Sequence, residues 1–294
     1  MISLLQSSYK IEDESEKVSD LVATSPFTVG KDINDIELLS SWEEQIELLS
    51  ECLEESGVNK QYAISLAAFL YMAHIYQIPV ILAGPSGDGI ADAVSAVLYG
   101  KTSSLLDCDY EYTKYDIHNI QTTENTVIRI KSPFNAKCAE SVLSIIQDKS
   151  EMKDYYLLVP YADDLCIEPD GILNYAVPIL TELFVTDVAS GDIFSGGKDE
   201  NFSAFEKSKK IKKLLPDSVP VISIAATYIQ RLLYESLRCD LNISDVDFIY
   251  LFGIVPYLFV MNRNEQALEM IQAEKSLNSD IKKQVIRYLG GINE

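Results

Sequence analysis

The chain has 294 residues and carries 45 Asp and Glu against 24 Lys and Arg, which gives a formal net charge of −21 at pH 7. This length is enough for one α/β domain with a helical addition. Because binding to a phosphate backbone depends on Lys and Arg, we do not expect so acidic a chain to contact nucleic acid directly. The charge favours basic protein partners instead.

The cysteines and the apolar runs indicate a cytoplasmic protein. Five cysteines occur singly, without a C-x-x-C pair, which favours a reducing compartment. The first residues lack the basic and apolar regions of a signal peptide. The two most apolar runs, residues 63–83 and 248–261, are interrupted by proline and polar residues, so we expect core segments and no membrane contact.

The N-terminal part is predicted to be an arm followed by two helices. Residues 1–39 are polar and acidic, and we expect them to form a partly mobile arm. The sequence S-W-E-E from Ser41 has the pattern of a helix-capping box, and Gly57 is expected to end the helix that it starts. Asn59 is placed to cap a second helix, over residues 60–76.

A glycine-rich segment follows a short apolar run at residues 79–83, which we predict to be a buried strand. Apolar residues at helical spacing follow over residues 90–98, so the segment lies between a strand and a helix. Gly84 and Gly89 stand where a phosphate-binding P-loop, G-x-x-x-x-G-K-[ST], has its two glycines. A tight turn that needs positive φ would also select two glycines, and this alternative stays open. The candidate nucleotide-binding residues are Gly84, Pro85, Ser86, Gly87, Asp88 and Gly89.

The two residues that carry the chemistry of a P-loop are absent. Ile90 occupies the position of the lysine that contacts the β and γ phosphates, and Ala91 that of the hydroxyl that binds Mg²⁺. Asp88 would repel a bound phosphate by roughly 1 to 4 kcal/mol, depending on the local dielectric. Gly100-Lys101-Thr102 repeats the end of the motif, but it follows a helix, and we interpret Gly100 as a helix C-cap.

Three further strands and a helix complete a predicted parallel sheet. The strands are expected over residues 126–130, 155–159 and 220–225, and a Ser-Pro pair predicts the start of a helix over residues 132–147. Strands that alternate with helices and are apolar on both faces indicate a parallel sheet covered on both sides. This arrangement is a three-layer sandwich.

The C-terminal third contains a basic segment and predicted helices. A solvated helix face is the favoured interpretation of the basic segment, and contact with phosphate is the alternative. Asn264 and Ser279 are candidate caps for two final helices that end at Gly290. The basic segment lies in an irregular insertion and contains Lys207, Lys209, Lys210, Lys212 and Lys213.

The order of these parts resembles AAA-plus ATPases, and the layout is most similar to the McrB and MoxR-like branch. The resemblance rests on the glycine loop, the strand over 155–159, and the strand over 220–225 followed by Ala-Thr. It implies an α/β fold with a P-loop NTPase-like three-layer sandwich over residues 40–240. A helical N-terminal extension and a C-terminal helical lid over residues 241–294 would complete the fold.

The resemblance also implies catalytic positions, and this sequence departs from the family at each of them. Pro160 and Tyr161 stand where the family has the Asp of the magnesium shell and the Glu that positions water. Ile229 replaces the Asn that orients the attacking water. A shifted loop would bring back Asp163 or Asp164 as a carboxylate at this edge.

Other candidate residues have simpler interpretations. Arg231 and Arg238 could supply an arginine that acts on a neighbouring subunit's phosphate, but pairing with a nearby carboxylate is favoured. His74 lies in an apolar helix and is interpreted as a satisfied core residue. No His/Cys cluster has the spacing of a metal site, and no G-x-S-x-G elbow supports a hydrolase triad.

These departures predict a catalytically inactive AAA-plus-like protein, a pseudo-ATPase, that acts as an assembly or regulatory module through protein contacts. The expected partner is a basic protein or another AAA-plus subunit, and no cofactor is expected. The alternative is an ATP-binding AAA-plus ATPase with shifted motifs, using ATP and Mg²⁺, in a nucleic-acid-associated defence or repair complex. The first hypothesis is favoured because the residues that differ from the family are concentrated at its catalytic positions, while the apolar strands remain.

Overall fold

The structure of the chain is a computed structural model, and it describes residues 27–109, 126–136, 138–148, 153–166, 170–186, 195–220 and 223–291. Within these ranges the strands are β1 (Phe27–Thr28), β2 (Asp35–Ser41), β3 (Val80–Ala83), β4 (Ser104–Asp107), β5 (Val127–Lys131), β6 (Asp154–Val159), β7 (Val177–Leu180) and β8 (Ser195–Ser203). The α-helices are α1 (Trp42–Glu55), α2 (Lys60–Tyr76), α3 (Gly87–Tyr99), α4 (Ala139–Gln147), α5 (Asp170–Leu173), α6 (Ile224–Ser236), α7 (Asp245–Ile249), α8 (Val255–Val260), α9 (Asn264–Ala273) and α10 (Ser279–Gly291). Short 3-10 turns at Ala162–Cys166 and Thr181–Leu183 follow β6 and β7, and a π-helical segment, Tyr250–Ile254, joins α7 to α8.

Six strands form one sheet in the order β1-β4-β5-β6-β3-β7. All neighbours are parallel except β1 and β4. Every residue of β3 and β7 is buried, so helices and loops cover both faces at this side of the sheet. The predicted α/β class with a mostly parallel sheet is therefore confirmed, and it is compatible with a three-layer sandwich. A separate two-stranded parallel sheet pairs β2 with β8.

β3 is the first strand of the parallel sheet along the chain, yet it lies between the last two. The chain leaves β3 for β4, returns through β5 and β6, and then crosses β3 to reach β7. Such a reversal of strand order is a switch point, and ligands of open α/β sheets bind outside the carboxyl ends of the strands there. Ala83 lies in register with Val159 on one side and with Leu180 on the other, so the three strands end together.

The first two helices begin where their capping residues predict. The Ser41 hydroxyl accepts a hydrogen bond from the Glu44 amide at 3.3 Å, and the Glu44 carboxylate accepts one from the Ser40 amide at 2.7 Å. The Asn59 side chain accepts one from the Gln61 amide at 2.9 Å and starts α2 at the predicted residue. These reciprocal contacts satisfy amides that the first helical turn leaves unpaired.

Two predicted elements differ in the structure. Ser132 has a φ of +52° and closes a turn with Asn135, so α4 begins at Ala139 instead of at the Ser-Pro pair. The strand predicted over residues 220–225 is wrong, because the Ser223 hydroxyl caps α6 through the Ala226 amide and the helix starts at Ile224. Residues 221 and 222 lie outside the described residues.

β7 is a strand that the sequence analysis did not predict. Its Pro178 lacks an amide for a ladder hydrogen bond, which argues against a strand in the middle of a sheet. Among the described strands, β7 lies at the edge of the sheet and pairs with β3 alone, so one side of the strand needs no donor. The edge position therefore explains how proline is tolerated here.

The predicted acidic arm over residues 1–39 contains two paired stretches. β1 pairs with β4 at the edge of the large sheet, and β2 pairs along its length with β8. Residues 1–26 lie outside the described residues. The stretch from Phe27 onward is thus held by backbone pairing.

The C-terminal helices pack on the edge of the sheet. α6 and α8 contact β7, and α9 and α10 follow α8. An aromatic cluster joins α2 to this region, with Phe184 stacked on Phe252 at 4.7 Å and Phe69 at 5.2 Å from Phe252 between ring centroids. The Asn278 side chain accepts from the Asp280 amide at 2.9 Å, so the cap of α10 is one residue before the predicted Ser279. Of the helices in the described ranges, none has both the length and the apolar character needed to cross a membrane.

Candidate functional site

The glycine loop lies at the carboxyl end of β3, at the switch point of the sheet. Gly84 has a φ of +115°, and its amide donates to the Val159 carbonyl at 2.8 Å. A Cβ at this position would lie 2.7 Å from the Thr181 hydroxyl oxygen and 3.0 Å from Cγ of Glu182. Glycine is therefore required both by the backbone conformation and by the close approach of the chain that follows β7.

The loop is shorter than the six candidate residues. Only Gly84, Pro85 and Ser86 lie between β3 and α3, because the helix begins at Gly87. The Ile90 amide donates to the Ser86 carbonyl at 2.9 Å, as an ordinary helical hydrogen bond. Gly87, Asp88 and Gly89 thus form the first turn of α3.

The end of α1 covers this first turn. A Cβ on Gly89 would lie 3.3 Å from Cβ of Ser56, the residue that follows α1. The Ser56 hydroxyl donates to the Gly89 carbonyl at 3.2 Å and to the Cys52 carbonyl at 2.9 Å. Gly89 is therefore explained by helix packing, whereas the positive φ that the turn alternative requires is found at Gly84 and not at Gly89.

The two positions compared with the lysine and the hydroxyl of a P-loop point into the protein interior. Ile90 and Ala91 are each 0 % exposed and belong to the hydrophobic core. Asp88, which the sequence analysis treated as a source of repulsion, forms an ion pair with Arg129 of β5 at 2.7 Å. Arg129 also contacts Asp92 at 3.3 Å. An internal cation thus partly neutralises the negative charge at the start of α3.

The candidate carboxylates beyond β6 separate in the structure. Pro160 and the exposed Tyr161 follow the strand, and Asp163 and Asp164 lie in the 3-10 turn after them. Asp163 lines a cavity together with Glu182, whereas Asp164 lines a different one, beside Ser132. The two aspartates therefore cannot substitute for each other at one site.

The cavity that contains Asp163 is open to solvent and measures about 600 Å³. It lies between the turns that follow β6 and β7 on one side and α10 on the other, next to Gly84. Loss of water around the Glu182 carboxyl, together with the nearby charge of Asp163, raises the pKa of Glu182. The lining residues are Tyr161, Ala162, Asp163, Glu182, Leu183, Lys283, Gln284, Arg287 and Tyr288.

Sequence reasoning missed three charged residues of this cavity. Glu182 follows a strand that was not predicted, and Lys283 and Arg287 lie in a helix that was predicted without a role for its side chains. The one available signal was the spacing of four between Lys283 and Arg287, which places both on one helix face.

Arg231 in α6 and Arg238 just after that helix are held by a buried carboxylate. Arg238 pairs with Glu235 at 2.7 Å and Arg231 lies 3.9 Å from it, while the Glu235 side chain is 0 % exposed. The Tyr76 hydroxyl donates to Glu235 at 2.6 Å. Burial alone would raise the pKa of Glu235, but the hydrogen bonds from Tyr76, Arg238 and Ser208 hold it below its usual value. The favoured interpretation, pairing with a nearby carboxylate, is confirmed.

Ile229, at the position compared with the family's asparagine, is 0 % exposed in the interior face of α6. The residue is therefore part of the core and not at the carboxyl end of a strand.

His74 is a satisfied residue, as predicted. Its Nδ1 lies 2.7 Å from the carboxylate of the buried Asp154, which also accepts a hydrogen bond from the Tyr99 hydroxyl at 2.6 Å. Burial opposes the charged form of His74, but the Asp154 carboxylate outweighs it, and the pKa of His74 lies above its usual value. This cluster joins α2 and α3 to the first residue of β6.

The lysine-rich segment is not a helix. Residues 204–220 are irregular, and all five lysines are exposed. Lys213 pairs with Asp217, and Lys207 lies 5.0 Å from the centre of the Tyr76 ring. The Gln230 side chain holds the segment by donating to the Lys212 carbonyl and accepting from the Leu214 amide, each at 2.8 Å. The expected helix face is thus replaced by an extended, solvated strip.

Within the described part of the chain, no group of three or more His, Cys, Asp or Glu side chains could hold a metal ion. Comparisons of the chain with protein-family models, with curated proteins and with solved structures give no significant match.

Proposed function

We propose that this chain is a catalytically inactive AAA-plus-like module that acts in assembly or regulation through protein contacts. The observation that supports the proposal is the complete burial of Ile90 and Ala91, at the positions where a P-loop has its lysine and its hydroxyl. Two charge-assisted contacts of about 1.5 to 3 kcal/mol each are missing, which corresponds to roughly a hundred- to ten-thousand-fold in nucleotide affinity.

The backbone supports the same proposal. A P-loop binds phosphate through amides that point into an open loop. Here the Ile90 amide bonds to the Ser86 carbonyl, and the first turn of α3 packs under Ser56. No cofactor is expected here, because the Ile90 amide is paired within the helix and residues 84–91 contain no Lys or Arg to neutralise a phosphate.

The proposed partner is a basic protein or another AAA-plus subunit, in the cytoplasm. The net charge of −21 would steer a basic partner towards the chain at a rate that falls with salt. The extended lysine-rich strip, residues 207–213, is a local exception with the opposite charge. A second AAA-plus-like subunit would offer an acidic surface to that strip.

ATP turnover by the purified chain tests the proposal. We expect phosphate release in the presence of Mg²⁺ to equal the rate without protein. A Mg²⁺-dependent rate above this background, abolished by a substitution in the chain, would overturn the proposal.

A second candidate function, an ATPase with shifted motifs, is favoured by the cavity beside Gly84. Asp163 lines it, and Lys283 and Arg287 face the same space with charges that suit phosphate. The two aspartates provide a matched test, since Asp164 lines another cavity. If this function holds, Asp163→Asn abolishes turnover while Asp164→Asn leaves it unchanged.

A further inference from the structure

Opposite charges face one another across the cavity between the sheet and α10 without forming ion pairs. Asp163 and Glu182 lie on the wall formed by the turns after β6 and β7, and Lys283 and Arg287 lie on the wall formed by α10. Among the described residues, Asp163, Glu182 and Arg287 have no ion pair, and Lys283 contacts only Asp280, at 3.3 Å on the exposed surface. Each wall therefore carries two charges that the opposite wall does not neutralise.

Hydrogen bonds fix the separation of the two walls. Gln284, between the two cations in α10, donates to the Leu183 carbonyl at 2.7 Å and accepts from the Tyr62 hydroxyl at 2.9 Å. On the opposite wall, the close approach of Gly84 to Glu182 leaves no room for a side chain between them. These contacts hold the backbones of the two walls in place, and within the described ranges the carboxylates of one wall form no ion pair with the cations of the other.

We propose that this cavity binds a small zwitterionic molecule of dipeptide size, with its ammonium group towards Asp163 and Glu182 and its carboxylate towards Lys283 and Arg287. A volume of about 600 Å³ lies within the range of small-molecule sites. The Tyr161 side chain, 71 % exposed at the rim, offers an aromatic face to the ammonium group. Such a ligand satisfies both walls at once.

The balance of charges selects against other ligand classes. A dication would be attracted by the two carboxylates but repelled by the two cations of α10. A dianion would be attracted by the cations but repelled by the carboxylates. The lining side chains sum to zero net charge, because two carboxylates oppose one ammonium and one guanidinium. This site does not depend on the proposed function, since the Ile90 and Ala91 positions take no part in it.

Calorimetric titration of the full chain with a panel of dipeptides, from glycyl-glycine to alanyl-phenylalanine, tests the proposal. Each probe carries one ammonium and one carboxylate group, while putrescine and glutarate serve as probes with one type of charge only. We expect saturable binding of at least one dipeptide, weakened about 10- to 100-fold by Glu182→Gln and by Arg287→Gln. Glu269→Gln and Lys198→Gln remove the same charges from exposed positions outside the cavity and should leave binding unchanged.

Three results would overturn the proposal. The first is that no dipeptide shows saturable binding at millimolar concentration. The second is dipeptide binding that survives both Glu182→Gln and Arg287→Gln, in variants whose urea unfolding matches that of the parent chain. The third is tighter binding of putrescine, glutarate or ATP than of every dipeptide, which would assign the cavity to another ligand class.

Discussion

Replacing Ile90 with lysine, the residue that a working P-loop has there, is expected to destabilise the protein and not to restore nucleotide binding. The Ile90 side chain is 0 % exposed in the core face of α3. An ammonium group at this depth loses its hydration, and the effective penalty for a buried ion is several kcal/mol. With the loss of the isoleucine packing added, we expect the free energy of unfolding to fall by about 3 to 5 kcal/mol.

Ile90→Met is the matched control, because methionine is unbranched and of similar reach but carries no charge. A hydrophobic exchange of this kind costs less than about 1.5 kcal/mol. Urea unfolding followed by the fluorescence of Trp42, whose ring lies 5.1 Å from that of Phe205, measures both variants. We expect the lysine variant to unfold at a urea concentration lower by at least about 1 M.

A lysine variant whose stability lies within about 1 kcal/mol of that of the methionine variant, and which also gains Mg²⁺-dependent ATP binding, would contradict this prediction. That result would mean that the side chain at position 90 reaches the loop and not the core. The loop would then be a nucleotide cradle that lacks only its lysine.

Two further predictions concern the packing around the loop and the histidine cluster. Gly84→Ala should lower the free energy of unfolding by about 1 to 3 kcal/mol, because of the positive φ and the contact with Thr181. As a control, Gly290→Ala adds a Cβ that meets nothing within 4 Å and should raise the free energy of unfolding by up to about 1 kcal/mol. Equal effects of the two substitutions in urea unfolding would contradict this prediction. Asp154→Asn should cost about 1 to 3 kcal/mol. Because the pKa of His74 is raised in the folded state, the stabilisation by Asp154 is fully present below the usual value of 6.5 and is lost as the pH rises through the folded-state pKa. The cost of the substitution, measured by urea unfolding at several pH values, should therefore shrink with rising pH, and a constant cost would show that His74 does not titrate against Asp154.

Local signals in the sequence predicted where the first two helices begin. Ser41 and Asn59 start α1 and α2 as expected, because a side chain that satisfies free amides acts within a few residues. The same local reasoning failed in two places for different reasons. Pro178 argues against a strand, and β7 tolerates it because the strand lies at the edge of the sheet. Ser223 caps α6 through the nearby Ala226 amide, but the apolar residues around it are also typical of a strand.

At the candidate site too, local features could be predicted and long-range ones could not. The absence of a lysine and of a hydroxyl at positions 90 and 91 is visible in the sequence, but the direction of the Ile90 and Ala91 side chains is not. The cavity combines Asp163, Glu182 and Arg287, which are far apart in the sequence and meet only because β6, β7 and α10 converge at one edge. Residue spacing carries no information about such a convergence.

Calorimetric titration of the intact chain with ATP and Mg²⁺ tests most directly whether the glycine loop is a structural turn. We expect no saturable heat at millimolar ATP, in the parent chain and equally in Asp88→Asn, which removes the carboxylate at the start of α3. Saturable, Mg²⁺-dependent binding that tightens in Asp88→Asn would contradict this expectation, because at 0.1 M salt the effect of one carboxylate is largely confined to phosphate bound within about 10 Å of it.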